Sequence, residues 1–322
     1  ISNVGNYQAE LILTDTSGKT DKRNIDFRYD PGATANSSNS YVTLMMSRAQ
    51  WIDSPGCNPT PGGKTLFDVA DALAVRGLTG TASVVQERPA ESTRTCHANF
   101  QMNASWDDLA TLRDNFGWGF AVHHKGPSLV NLNYAQQYDA TCGDLQQLQS
   151  RGFNRAWGLF AYDGSNTNNT VQLDPVSTCF SYGRKYGSGV NRINSILSPW
   201  YVSTASFNGG YCNDPTASCF NLDLTRDRQR YQMPDELAAR MQGFDGQWSI
   251  LQLYRFVDGS KTSGSGTLYE CSDPDPAKHW TSRTEVYCWS DFLQAIDTIG
   301  DNVQVTDPAT VAEALGRGNP AL

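Results

Sequence analysis

"GKTLFDVADALAVRGLTGTASVV", Gly63 to Val85, contains a helical pattern that stops at glycine and then the short apolar run "TASVV" (81–85). That change of rhythm is the signature of a helix feeding a buried strand. Moving outward, the same alternation recurs. The other apolar runs are "YVTLMM" (41–46), "WGFAV" (118–122), "AWGLFAY" (156–162), "WYVSTA" (200–205), "WSILQL" (248–253) and "NVQV" (302–305). Helical stretches lie between several of them: "SWDDLATLRDNFG", with a Ser105 cap, "AQQYDATCGDLQQLQSRG", "MPDELAARMQG" and "SDFLQAIDTIG". Buried strands alternating with helices imply a parallel sheet, and seven of them imply a distorted (β/α)7-type barrel, closed or nearly so. No internal repeat is visible.

The first residues have another pattern. "YQAELIL" and "NIDFRY" alternate apolar and polar around "DTSGKTDK", which predicts a hairpin over residues 1–29. Residues 30–40, "DPGATANSSNS", are rich in Gly, Ser and Asn and read as a linker, leaving 41–322 as the α/β domain. The hairpin resembles the last strands of an immunoglobulin-like accessory module.

With 39% apolar and 18% charged residues among 322, the chain is globular rather than a polyelectrolyte. A net charge of −8 argues against nucleic-acid binding, which draws on clustered Lys and Arg. No apolar run approaches the roughly 20 residues of a membrane span. The eight cysteines form no CxxC pair and no zinc-ligand spacing, so they read as disulfides. Cys212 with Cys219 and Cys271 with Cys288 close short loops; Cys57 with Cys96 and Cys142 with Cys179 are paired by order alone. Disulfides imply an oxidising compartment, hence a secreted or cell-surface protein. Asn36, Asn103 and Asn168 begin triplets that accept N-glycans in a eukaryote.

In a parallel barrel, function gathers where strand C-termini meet the following loops. The residues there are Ser47, Arg48 and Trp51; Gln86 and Arg88; His123, His124 and Lys125; Tyr162 and Asp163; Ser206 and Asn208; Tyr254, Arg255 and Asp258. They are rich in His, Tyr and Arg and poor in carboxylates. Adjacent residues on a strand point to opposite faces, so one of His123 and His124 faces the mouth and the other faces packing.

The order and spacing of these segments resemble the polysaccharide deacetylase family, the NodB-type barrels, over residues 41–316. "YVTLMMSRAQW" resembles the family's first strand, which ends in an Asp-Asp pair. "FGWGFAVHHKGPSLVNL" is similar to its second motif, in which two histidines four apart precede Pro-Asn-Leu. "GFNRAWGLFAYDGSN" and "WSILQLYRFVDG" resemble the motifs that carry Arg-x-Pro-Tyr-Gly and Leu-His, and "YCWSDFLQAIDTIGDNVQVTDPATVAEAL" resembles the closing helix, strand and helix. The resemblance implies a carbohydrate-active enzyme. The family's metal and catalytic positions, however, fall here at Ser47, Arg48, Val122, Gly126 and near Tyr254. None carries over as a metal ligand, so no cofactor is expected, and a divalent metal would need a rebuilt site.

The residues present suit another chemistry. Arg48, Trp51, Lys125, Asp163 and Arg255 are candidates for binding an anionic polysaccharide, since Arg grips a carboxylate with two parallel hydrogen bonds. His123, His124, Tyr162 and Tyr254 are candidates for acid and base in β-elimination, the reaction of a polysaccharide lyase. Three other readings stand beside this one: deacetylation through a rebuilt metal site, glycoside hydrolysis through Asp163 and Asp258, and non-catalytic carbohydrate binding. The bland alternatives are histidines satisfied by backbone, Arg48 and Arg255 paired with Asp163 and Asp258, and tyrosines that pack in the core.

Overall fold

The computed structural model describes residues 5–14, 16–29, 40–47, 50–51, 63–97, 101–124, 129–162, 173–184, 191–192, 205–206, 246–263, 266–272, 274, 286–299 and 303–320. At the N-terminus, β1 (Gly5–Thr14) and β2 (Thr20–Tyr29) pair antiparallel along their whole length, a ribbon separate from the other sheets. The main body begins with β3 (Ser40–Met46), β4 (Gln50–Trp51), α1 (Leu66–Ala74) and β5 (Thr81–Val84). A small sheet of β4 with β6 (Thr95–His97) and β7 (Gln101–Asn103) precedes α2 (Trp106–Phe116) and β8 (Gly119–His123). Then come α3 (Tyr134–Tyr138), α4 (Asp144–Ser150), β9 (Leu159–Ala161), α5 (Leu173–Cys179), β10 (Tyr182–Arg184), β11 (Asn191–Arg192), β12 (Ala205–Ser206) and β13 (Gln247–Leu253). The C-terminal part holds β14 (Arg255–Val257), β15 (Ser260–Ser263), β16 (Gly266–Glu270), β17 (Val286–Cys288), α6 (Trp289–Ile296), β18 (Val303–Val305) and α7 (Pro308–Ala314).

Local chemistry explains the helix ends. Thr65 and Asp68 form a reciprocal capping box at α1, with Asp68 N donating to Thr65 Oγ1 (3.1 Å) and Thr65 N to Asp68 Oδ2 (2.7 Å). Ser105 and Asp108 do the same at α2, which stops at Gly117 in the left-handed region (φ 64°). The pattern expected as one helix over "AQQYDATCGDLQQLQSRG" is instead α3 and α4 joined by a π-turn at Asp139–Gly143. That turn carries Cys142, which bonds Cys179 at the end of α5.

The main sheet runs β10-β9-β8-β5-β3-β13-β11, with all neighbours parallel except β11. β12 joins the end of β13, and β18 joins the start of β3 at Ser40–Val42. The sheet curls strongly. Tyr182 on β10 and Trp248 on β13 have ring centroids 4.9 Å apart, although β9, β8, β5 and β3 lie between those strands in the order. Trp248 Nε1 also donates to Thr43 Oγ1 (3.1 Å), and that hydroxyl donates to the Thr306 carbonyl (2.9 Å). Among the described residues β10 and β13 do not pair, and those residues form a curled, open parallel sheet flanked by helices, consistent with a distorted α/β barrel.

Strand alternation and register give the sheet two faces. The inner face, on the concave side, carries Tyr41, Thr43 and Met45, Thr81 and Ser83, Ala121 and His123, Tyr182 and Arg184, and Trp248, Ile250 and Gln252. The outer face carries Val42, Leu44 and Met46, Ala82 and Val84, Phe120 and Val122, Phe160, and Leu251 and Leu253. It meets the helical layer, where Phe120 packs on Phe153 (4.4 Å) and Phe160 on Phe180 (5.2 Å).

Several expectations lie outside the described residues: the helix "MPDELAARMQG", most of "WYVSTA", the linker, Asn36, Asn168, Cys57, Cys212 and Cys219. Two disulfides form as expected, Cys142–Cys179 and Cys271–Cys288. Asn103 is buried, 4% exposed, in a folded strand, which removes it as a glycan acceptor. No helix among the described residues is long and apolar enough to cross a membrane.

Trp248→Ala should cost about 3–5 kcal/mol of stability in urea unfolding, because it empties a fully buried site and removes the side chain that spans the curl. Trp248→Phe should cost clearly less. Equal costs would show that the ring's volume does not hold the curl.

Candidate functional site

The C-terminal ends of β3, β5, β8, β9, β10 and β13 bring Ser47, Gln86, His123, His124, Tyr162, Arg184 and Tyr254 to one end of the sheet. Alternation then divides them. His123 continues the inner face of β8, and Tyr254 follows Gln252 on the inner side of β13. His124 and Tyr162 lie on the outer side, where each contacts Phe160, His124 stacking at 6.4 Å and Tyr162 meeting its edge at 5.0 Å. Register therefore separates His123 and Tyr254 from His124 and Tyr162. Arg48, Lys125 and Asp163 lie outside the described residues, and for Trp51 and Arg255 the structure describes backbone only. Asp258 is exposed and forms an ion pair with Lys64, the residue just before the α1 cap.

His123 is buried, and its Nδ1 lies 2.8 Å from the His124 carbonyl oxygen. A carbonyl only accepts, so His123 Nδ1 carries a proton and donates it to the His124 carbonyl. Gln252 Nε2 donates to Ser47 Oγ (3.0 Å) and to the Tyr254 hydroxyl. Ser83 Oγ donates to the Met46 carbonyl (3.2 Å), which fixes β5 to the end of β3. Burial pushes the Tyr182 phenol up to about 12, an effect that the nearby Arg317 only partly offsets. Tyr182 therefore stays protonated near neutral pH.

Arg184 was not legible as a site residue. It is 1% exposed on the inner face, and it ends a three-residue strand, "YGR", too short and too glycine-broken to show as an apolar run. The one usable signal was a Tyr-Gly-Arg following a helix. Gln252 was hidden differently, since Ser249 and Gln252 inside "WSILQL" look like neutral interruptions.

Among the described residues, the positions that the resemblance assigns to metal ligands do not carry them. Ser47 stands at one expected aspartate position and its hydroxyl accepts from Gln252; Val122 stands at an expected histidine position and faces the helices. Among the described residues no group of three His, Cys, Asp or Glu could hold a metal ion.

No family model and no curated protein matches the sequence. Among solved structures, the chain is similar to a Family 4 carbohydrate esterase from Streptomyces lividans in complex with acetate, at 11% identity and a TM-score of 0.41, over 83% of this chain and 92% of that one.

Two carboxyls are displaced upward in pKa. Burial and then the neighbouring Glu87 push Asp144, at the start of α4, up to about 7. Burial alone pushes Asp291, in the first turn of α6, to about 7. Both are raised above their unfolded values, so the stability they contribute is complete below about pH 4 and is lost as pH climbs to about 7. Thermal melts should thus fall between those limits, and Asp144→Asn with Asp291→Asn should flatten the slope. An unchanged slope in the double variant would place the loss elsewhere.

Proposed function

We propose that this chain acts on a polysaccharide at the inner face of its curled sheet, cleaving an acidic glycan by metal-independent acid–base chemistry. The observation that carries this reading is His123, inward-facing with its proton fixed on Nδ1, on the same face as Arg184 and Tyr254. The resemblance to polysaccharide deacetylases supplies the substrate class. The two disulfides support an oxidising compartment, hence a secreted or surface-exposed enzyme.

In this scheme Arg184 neutralises a uronic carboxylate, which acidifies the adjacent carbon–hydrogen bond. His123 Nε2 removes that proton. The freed electron pair forms a ring carbon–carbon double bond as the glycosidic carbon–oxygen bond breaks. Tyr254, whose oxygen accepts from Gln252, gives its proton to the departing oxygen. His124 and Tyr162, on the outer face, hold the wall.

A second reading, deacetylation, is favoured by the same histidine, since a neutral Nε2 at the end of β8 is also what a divalent metal binds.

Incubation with acidic and acetylated glycans separates the two. Elimination should give an unsaturated product absorbing in the near ultraviolet, indifferent to chelator; release of acetate, stopped by chelator, would overturn elimination in favour of deacetylation. Binding without any product would leave a carbohydrate-binding module. His123→Ala should lower turnover about 10²–10⁴-fold, the usual worth of a general base, while His124→Ala should change it less than about 3-fold. The reverse order would contradict the inner-face assignment.

A further inference from the structure

Gln252 is 1% exposed, two residues before Tyr254 on the inner side of β13. Its Nε2 donates to both Ser47 Oγ (3.0 Å) and the Tyr254 hydroxyl, so both amide hydrogens are used. Its Oε1 is buried and accepts no hydrogen bond among the described residues. A buried acceptor left in this state is costly, and native sites usually fill it with protein, water or ligand.

We propose that Gln252 is the specificity-determining residue of the site, with Oε1 accepting a hydrogen bond from a sugar ring hydroxyl or acylamino N–H beside the bond that reacts. The inference rests on the polysaccharide reading above. The shared chemistry is a neutral donor on the ring; an ether or a carboxylate in its place would bring no proton to the oxygen. The placement follows from Tyr254. One amide holds the proton donor and faces the sugar, so recognition of the ring and delivery of the proton are coupled.

The test compares wild type, Gln252→Leu and Gln252→Glu on oligogalacturonate and on N-acetylglucosamine oligomers, each native and O-methylated. Wild type should prefer the native form by about 10- to 100-fold in kcat/KM, the usual discrimination of a buried polar group left unpaired. Gln252→Leu should lose that preference, to within about 3-fold. Gln252→Glu, which keeps an acceptor oxygen but not the donor to Tyr254, should keep the preference while lowering kcat. If the N-acetylated oligomer binds equally well native and O-methylated and Gln252→Leu weakens both, the donor is the acylamino N–H; a loss on O-methylation that Gln252→Leu abolishes points to a hydroxyl. If Gln252→Leu retains the wild-type preference and melts higher, the oxygen holds only a buried water and the proposal is wrong. If wild type neither binds nor converts any native oligomer, the polysaccharide reading fails and this assignment falls with it.

Discussion

Successive side chains of a strand must point to opposite sides, and in a curled parallel sheet one of those sides becomes an interior. Everything at the candidate site depends on that alternation being held in phase across six strands. Trp248 is where it is anchored: its indole hydrogen-bonds Thr43 on the neighbouring strand and its ring meets Tyr182 on a strand five places away. The curl and the phase are thus fixed by the same side chain. A one-residue slip of β8 against β5 would exchange His123 for His124 and leave the interior without its histidine.

The two faces solve different problems. The outer face is apolar and packs against helices, as the Phe120–Phe153 and Phe160–Phe180 contacts show. The inner face carries Thr43, Ser83, His123, Arg184 and Gln252, all of them buried; Thr43, Ser83 and His123 bond backbone carbonyls, and Gln252 bonds Ser47 and Tyr254. Such a lining is costly for a core that only needs stability, because apolar residues of the same volume would fill it without desolvating polar groups. Polar groups concentrated at the C-terminal ends of parallel strands are, in contrast, what a binding site on such a sheet requires.

Much of this was legible in the sequence, for identifiable reasons. β3, β5, β8 and β13 are enclosed on both faces and so read as apolar runs. The caps of α1 and α2 rest on local Ser/Thr and Asp spacing. The short Cys271–Cys288 loop announced itself, whereas Cys142–Cys179 was supported by order alone until the π-turn placed Cys142 beside α5. What failed to show were features set by partners distant in sequence. "AWGLFAY" yields a strand only from Leu159, because Ala156–Gly158 forms a 3-10 turn. "YGR" has strand character only because β9 lies beside it, and Arg184 came with it. Sequence could say that one of two adjacent histidines faces inward; which one depended on the register of β8 with β5 and β9.

The central claim is that His123, and not His124, meets an acidic sugar with an unprotonated Nε2. The most direct measurement is the imidazole nitrogen NMR spectrum of the histidines during titration with oligogalacturonate. The account predicts a His123 ring protonated at Nδ1 near neutral pH whose Nε2 signal moves on binding while that of His124 stays in place. A His123 ring protonated at Nε2, or a titration that moves only His124, would contradict it.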